Sequence, residues 1–373
     1  MNCGHSFATH GVHPDFGYTL FAWDNIFGSY LLGIGDSTPA KAAAYSCLIQ
    51  IIKAKTINGF VPNANTVSDR TEPPIGAKVL LEMFKKQRDK WVVELLFDDL
   101  LDWSNWFIAK RKLEPLGMIA LGSARGMDAS KMESGCDDSP MYDGEFWSNQ
   151  DNLMQMYDVG FSSMFTMEAF ALSELAGAIG RPEGPMLRQR ALKMQALIST
   201  HLWDEQGQIF TNKFLNGSFY RRVSPTSFYV MLANASTDAQ ATAMMNHWMM
   251  NRSRFCVAAS GDMAGNNRNG CYWGMPSISA DDSSFRADPL DLGGAGYWRG
   301  HVWAPMIQLT HWGLLNYDHV PAVVTAQAAI GRCLRCLAFS DRSLVSTAHS
   351  PEGDGEAGHG DDGRSVRSQR PHL

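Results

Sequence analysis

Apolar side chains recur at intervals of three and four residues through most of this chain, and that period confines it to a helical fold. It predicts helices over residues 39–55, 74–85, 90–111, 152–179, 185–203, 225–235, 238–250, 302–317 and 321–339. Local punctuation agrees: Ser37-Thr38 offers a cap before the first helix, Asn58-Gly59 stops it, and Gly180 closes the fourth. Strand alternation is sparse, with residues 209–219 the best candidate for a short hairpin. The helices pair across alternately short and long connections. Such pairs bury their apolar faces by closing into a ring or stacking into a solenoid. A solenoid would repeat every ~34 or ~40–47 residues, and no such self-similarity is visible.

Composition sets further bounds. With 373 residues, 45% of them hydrophobic and 19% charged, the chain can build a sizeable core as one large domain or two ordinary ones. Lys+Arg number 32 against Asp+Glu 38, so the basic surplus that a nucleic-acid partner requires is missing. No run approaches the ~18 uncharged apolar residues that span a bilayer, and the first residues carry no secretory pattern. No membrane partner and a cytoplasmic location are therefore expected. Seven scattered cysteines suggest no disulfide framework. Cys333 and Cys336 form a C-x-x-C within an apolar, helix-like run, where two small buried residues suffice as an account. Residues 346–373 are rich in Gly, His, Ser and Arg and bury too little to repay their ordering. They read as a disordered tail after a folded unit of residues 1–345.

Two connections are too long to be mere joints, residues 122–151 and 256–300. The first gathers Asp128, Glu133, Asp137, Asp138, Asp143 and Glu145 among Gly, Ser and Pro. Carboxyls crowded beside aromatics raise one another's proton affinity, as general acid catalysis near neutral pH requires. A solvated acidic loop would have the same composition, and a calcium site would too, although no D-x-[DN]-x-[DN]-G spacing is present. The second carries Tyr272, Trp273, Tyr297 and Trp298. Eleven Trp and 10 Tyr suit a cleft that stacks sugar rings, or simply a large helical core. His5, His10 and His13 fit a mobile terminus better than a metal site.

Three segments resemble a known family when taken together. Phe21-Ala22-Trp23-Asp24, residues 133–143 (E-S-G-C-D-D-S-P-M-Y-D) and residues 296–303 (G-Y-W-R-G-H-V-W) are similar to glycoside hydrolase family sixty-three. They look closest to its mannosylglycerate hydrolase-like catalytic domain, and the similarity runs from about residue 21 to about 339. The resemblance implies an all-α fold, the (α/α)6 toroid, and hydrolysis of an α-glycosidic bond with inversion. Small α-glucosides or α-mannosides such as glucosylglycerate or mannosylglycerate are the implied substrates. Position by position, it makes Asp137 the general acid. Asp24 beside Trp23 holds hydroxyls of the sugar. Tyr297, Trp298 and Arg299 line the same pocket, and Glu133 helps form it. Neither a metal nor an organic cofactor is implied.

The match departs at one point. The family's general base is a Glu that follows the Y-W-R-G segment, and this chain has no Glu between residues 300 and 351. Thr347 stands at the matching position, which leaves Glu352 as the candidate base, with Glu356 nearby. The helix expected after the base is also missing, as in a truncated or frame-shifted reading frame or a pseudoenzyme. A non-catalytic carbohydrate-binding toroid is the alternative reading. A sugar epimerase on a related toroid would want paired His residues, and only His301 lies in a matched segment.

Overall fold

A computed structural model describes residues 19–144, 146–257, 274–286 and 296–331. The N-terminal histidines, Glu145, Tyr272, Trp273, the C-x-x-C pair, Glu352 and the tail lie outside the described residues. The chain runs through α1 (Ala22–Ile34), α2 (Thr38–Lys53), the antiparallel strands β1 (Pro62–Ala64) and β2 (Val67–Thr71), α3 (Gly76–Gln87) and α4 (Lys90–Lys110). A short α5 (Met127–Met132) precedes the long pair α6 (Val159–Ile179) and α7 (Gly184–His201). Then come a 3-10 segment (Pro225–Met231), α8 (Asp238–Met244) with a π turn at its end (Met245–Met249), α9 (Ala304–Leu315) and helical residues 321–331.

These elements form an all-α toroid. α1, α3, α6, the 3-10 segment and α9 each pack on the next. The last returns to the first: Trp312 of α9 stacks on Phe27 of α1 at 6.1 Å and meets Tyr30 edge-on at 5.0 Å. The inner position explains the sequence of α6, which is apolar around most of its circumference and buried along most of its length. Its partner α7 buries only the stripe Leu187, Ala191, Met194 and Ile198 and turns its charges outward, as an outer helix must.

Several helix starts are capped, in one of two ways. Ser37 caps α2 by accepting from the Ala40 N–H, Asp158 caps α6 from the Phe161 N–H at 2.6 Å, and Thr237 with Gln240 forms a capping box on α8. Neither α1 nor α3 has a cap of its own. Glu168 of α6 supplies one for α3, its two oxygens accepting the Ala77 and Lys78 N–H groups at 2.8 Å. Glu72, just beyond β2, does so for α1 by accepting the Trp23 N–H at 2.6 Å. A carboxyl at a helix N-terminus also meets the positive end of its dipole.

The structure departs from the sequence expectations in four places. α1 is a helix that no distinct apolar period announces. Residues 152–158 stay out of the helix and hold the short strands Leu153–Met154 and Met156–Tyr157, because Asp158 caps α6 at its start, Val159. The 225–235 segment tightens into a 3-10 turn after Ser224 and Pro225. Cys47 and Cys256 each take part in a disulfide, against the expectation from cysteine count and scatter. Pairing depends on Cα proximity in the fold, which sequence spacing does not reveal. Among the described residues, no helix is long and apolar enough to cross a membrane.

If the Trp312 contact closes the ring, Trp312→Ala should cost about 3–5 kcal/mol of unfolding free energy in urea titrations. Leu315→Ala, at a half-exposed position one turn on, should cost under about 1 kcal/mol. Equal effects would show that the closure contributes nothing.

Candidate active site

Four pieces of chain converge at one end of α1: its own first turn, the residues around the β1–β2 hairpin, the loop after α5, and the segment beginning at residue 296. The loop after α5 is fixed first by Glu133. This side chain is fully buried and accepts from Arg111 Nε at 2.7 Å, Arg111 Nη2 at 2.8 Å, and the backbone N–H groups of Gly122 at 2.7 Å and Thr71 at 3.0 Å. Four donors occupy its two oxygens, so Glu133 ties the loop to α4 and β2 and offers nothing to a ligand. The resemblance implies a place at the pocket for it. The structure turns it into the scaffold.

Two residues on, Gly135 adopts φ +73°, and a Cβ there would lie 2.6 Å from the Trp23 ring. Only glycine lets the loop close onto the indole. That contact brings Asp137 up to α1. The Trp23 ring, 3% exposed, also meets Phe27 and Trp298, each at 6.0 Å between centroids.

Asp24 and Asp137 are the unusual groups. Among the described residues neither forms an ion pair, although both are partly buried. Burial raises Asp24 to about 7, helped by the charge of Asp137. Burial likewise raises Asp137; the Arg70 guanidinium pulls it back, Asp138 pushes it up, a Tyr297 hydrogen bond lowers it, and the result is about 6. Glu72 is held well above its ordinary range by burial first and then by the charges of Asp24 and Asp137. Three carboxyls that sense one another titrate as a set. Tyr297, 40% exposed, is pushed up to about 12 by burial and by Asp137, so its hydroxyl stays protonated as a donor.

The Y-W-R-G segment is fastened to the acidic loop. Trp298 donates its backbone N–H to Asp138 at 2.8 Å and stacks its ring on Trp303 at 4.2 Å. Arg299 grips Asp143 with two bonds of 2.8 and 2.6 Å, a bidentate geometry that fully engages one edge of its fork. Arg299, expected to line the pocket, also ties the two loops together through Asp143. The structure thus brings Trp23, Asp24, Asp137, Tyr297 and Trp298 together, while Glu133 and Arg299 hold them in place.

Two neighbours escaped the sequence reading. Arg70 is 7% exposed, binds Asp69 through Nη1 and Asn63 through Nη2, and acts electrostatically on Asp137. Glu72 is 3% exposed and joins Trp23 to Asn63. In sequence they are ordinary charges between a strand and two prolines; only their burial marks them. Among the described residues, no group of three or more His, Cys, Asp or Glu is placed to hold a metal ion. The arrangement can donate a proton from Asp137 and accept hydroxyl hydrogen bonds at Asp24, beside aromatic faces.

Comparison with known proteins places this geometry. The profile of the mannosylglycerate hydrolase MGH1-like glycoside hydrolase domain matches residues 23–356. No curated protein shows significant sequence similarity to the chain. Among solved structures, a GH63 mannosylglycerate hydrolase from Thermus thermophilus in complex with glucose superposes with a TM-score of 0.67 at 16% identity, over 89% of this chain and 87% of that one. The same hydrolase with Tris and D-glycerate gives a TM-score of 0.66 at 16% identity, over 91% and 89%. Neutral trehalase Nth1 from Saccharomyces cerevisiae gives 0.60 at 14% identity, over 82% of this chain and 63% of that one. At such identities these likenesses establish the toroidal fold.

Because Asp24 binds its proton more tightly folded than unfolded, its contribution to stability is full below about pH 4 and is lost as pH rises through about 7. Asp24→Asn should therefore raise the melting temperature by a few degrees at pH 8 and by less at pH 5. Equal shifts at both pH values would show that the carboxyl is not desolvated.

Proposed function

The chain belongs to the mannosylglycerate hydrolase MGH1-like glycoside hydrolase family, and on that footing we propose that it cleaves the α-glycosidic bond of a small α-glucoside or α-mannoside, such as glucosylglycerate or mannosylglycerate, with inversion. The observation that carries this reading is the closure of the Gly135 turn onto Trp23, which brings the partly buried Asp137 up to the first turn of α1 that carries Asp24, with both carboxyls raised by burial. Asp137 gives its proton to the glycosidic oxygen as the bond to the anomeric carbon breaks. Asp24 accepts hydrogen bonds from hydroxyls of the sugar, whose apolar face rests on Trp23 and Trp298, while Tyr297 orients Asp137. Inversion also needs a carboxylate on the opposite ring face, roughly 6.5–9.5 Å from the acid, to take a proton from the attacking water. Glu352 is the proposed base, and it lies outside the described residues.

A second reading, a carbohydrate-binding toroid without catalysis, is favoured by the lack of any Glu between residues 300 and 351. Losing a general base typically costs about 10²–10⁴ in rate.

Proton NMR of α-glucosylglycerate and α-mannosylglycerate digests separates the readings. The hydrolase releases the β-anomer first, and the binder releases no sugar. Asp137→Asn should lower kcat by about 10²–10⁴ while sugar binding stays within about threefold; unchanged turnover would overturn the assignment. In the wild type, kcat/KM should fall above about pH 6 as the set containing Asp137 loses the catalytic proton. A profile flat to pH 8 would exclude Asp137 as the acid.

A further inference from the structure

We propose that Glu72 is a positioning residue for the sugar subsite: by capping α1 from outside the helix, it sets the first turn that carries Trp23 and Asp24 against the Asp137 loop. The proposal rests on the reading of that subsite as sugar-binding. Phe21, the residue at the N-cap of α1, offers no side-chain acceptor. Glu72 Oε2 fills that role at 2.6 Å from the Trp23 nitrogen, across 49 positions of sequence. Its other oxygen accepts from Asn63 Nδ2 at 2.7 Å, and Asn63 Oδ1 in turn accepts from Arg70 Nη2 at 3.1 Å. One buried chain of hydrogen bonds therefore runs from the guanidinium that acts on Asp137 to the backbone beneath Asp24.

The geometry makes reach, not charge, the operative property. The Trp23 N–H is one of the orphan donors of a helix start, and it asks for one acceptor at hydrogen-bond distance. A glutamine keeps the length of the side chain and one acceptor oxygen for the Trp23 N–H, and gives up the Asn63 bond, whose donor then faces the amide nitrogen. An aspartate keeps the carboxylate but falls one methylene short. Misplacing the first turn by about 1 Å removes the alignment of Asp24 with a bound sugar, and errors of that size cost up to about 10²-fold in positioned sites.

The test compares Glu72→Gln, Glu72→Asp and Glu72→Ala in the full chain. Binding of glucose and mannose is followed by calorimetry, and backbone exchange at Trp23 and Asp24 by hydrogen–deuterium mass spectrometry. We expect Glu72→Gln to bind the preferred sugar within threefold of wild type with the first turn of α1 still protected. Glu72→Asp should bind at least tenfold more weakly with faster exchange confined to that turn, and Glu72→Ala should match it. If Glu72→Ala does not fold, the Gln and Asp variants alone decide the matter. Equal sugar affinity in those two, or unchanged exchange at Trp23 in Glu72→Asp, overturns the proposal. A wild type that binds neither sugar, with Trp23 protected, instead overturns the sugar-site reading and with it the role of Glu72 there.

Discussion

A buried carboxyl is tolerable only where protein donors replace the water it has lost, or where it keeps its proton. This toroid buries several, and the way each is satisfied separates scaffold from site. Glu133 takes four donors and Glu168 takes two backbone N–H groups. Asp24 and Asp137 are only partly withdrawn from water, and neither is paired with a cation among the described residues. A fold that leaves two such groups underpaired carries a cost, and an arriving polyhydroxylated ligand is what would offset it.

The ring was legible where period and punctuation agree. The helices at α2, α3, α4, α6 and α7 all followed from apolar spacing and from Ser37 and Gly180. α1 was not legible: its sequence holds Gly28 and Gly33, is apolar on most sides, and lacks a cap, so neither propensity nor pattern announces it. Its helical state comes from burial between α2 and α3 and from an acceptor far along the chain.

The site was legible in the residues that touch one another through distinctive chemistry. Asp137 was legible only through the resemblance of residues 133–143 to a known family, because composition alone fits a solvated acidic loop equally well. Roles inside that group were harder to read. Glu133 and Arg299 belong to the same segments as Asp137 and Trp298, and sequence gives no means to tell a strut from a ligand-facing group; the direction of a side chain is decided by which donors surround it. Arg70 and Glu72 carry no signature at all, since a charge in a short strand is normally solvated.

The borrowed caps on α1 and α3 have a bearing on how the molecule is built up in time. A helix whose opening turn is completed only by a distant strand gains little until that strand has docked. Trp23 and Asp24 therefore acquire fixed coordinates late, once the hairpin and the neighbouring helices are already in place. A fragment ending before residue 72 lacks the acceptor for the Trp23 N–H, so the turn beneath Asp24 is completed only by the chain that follows.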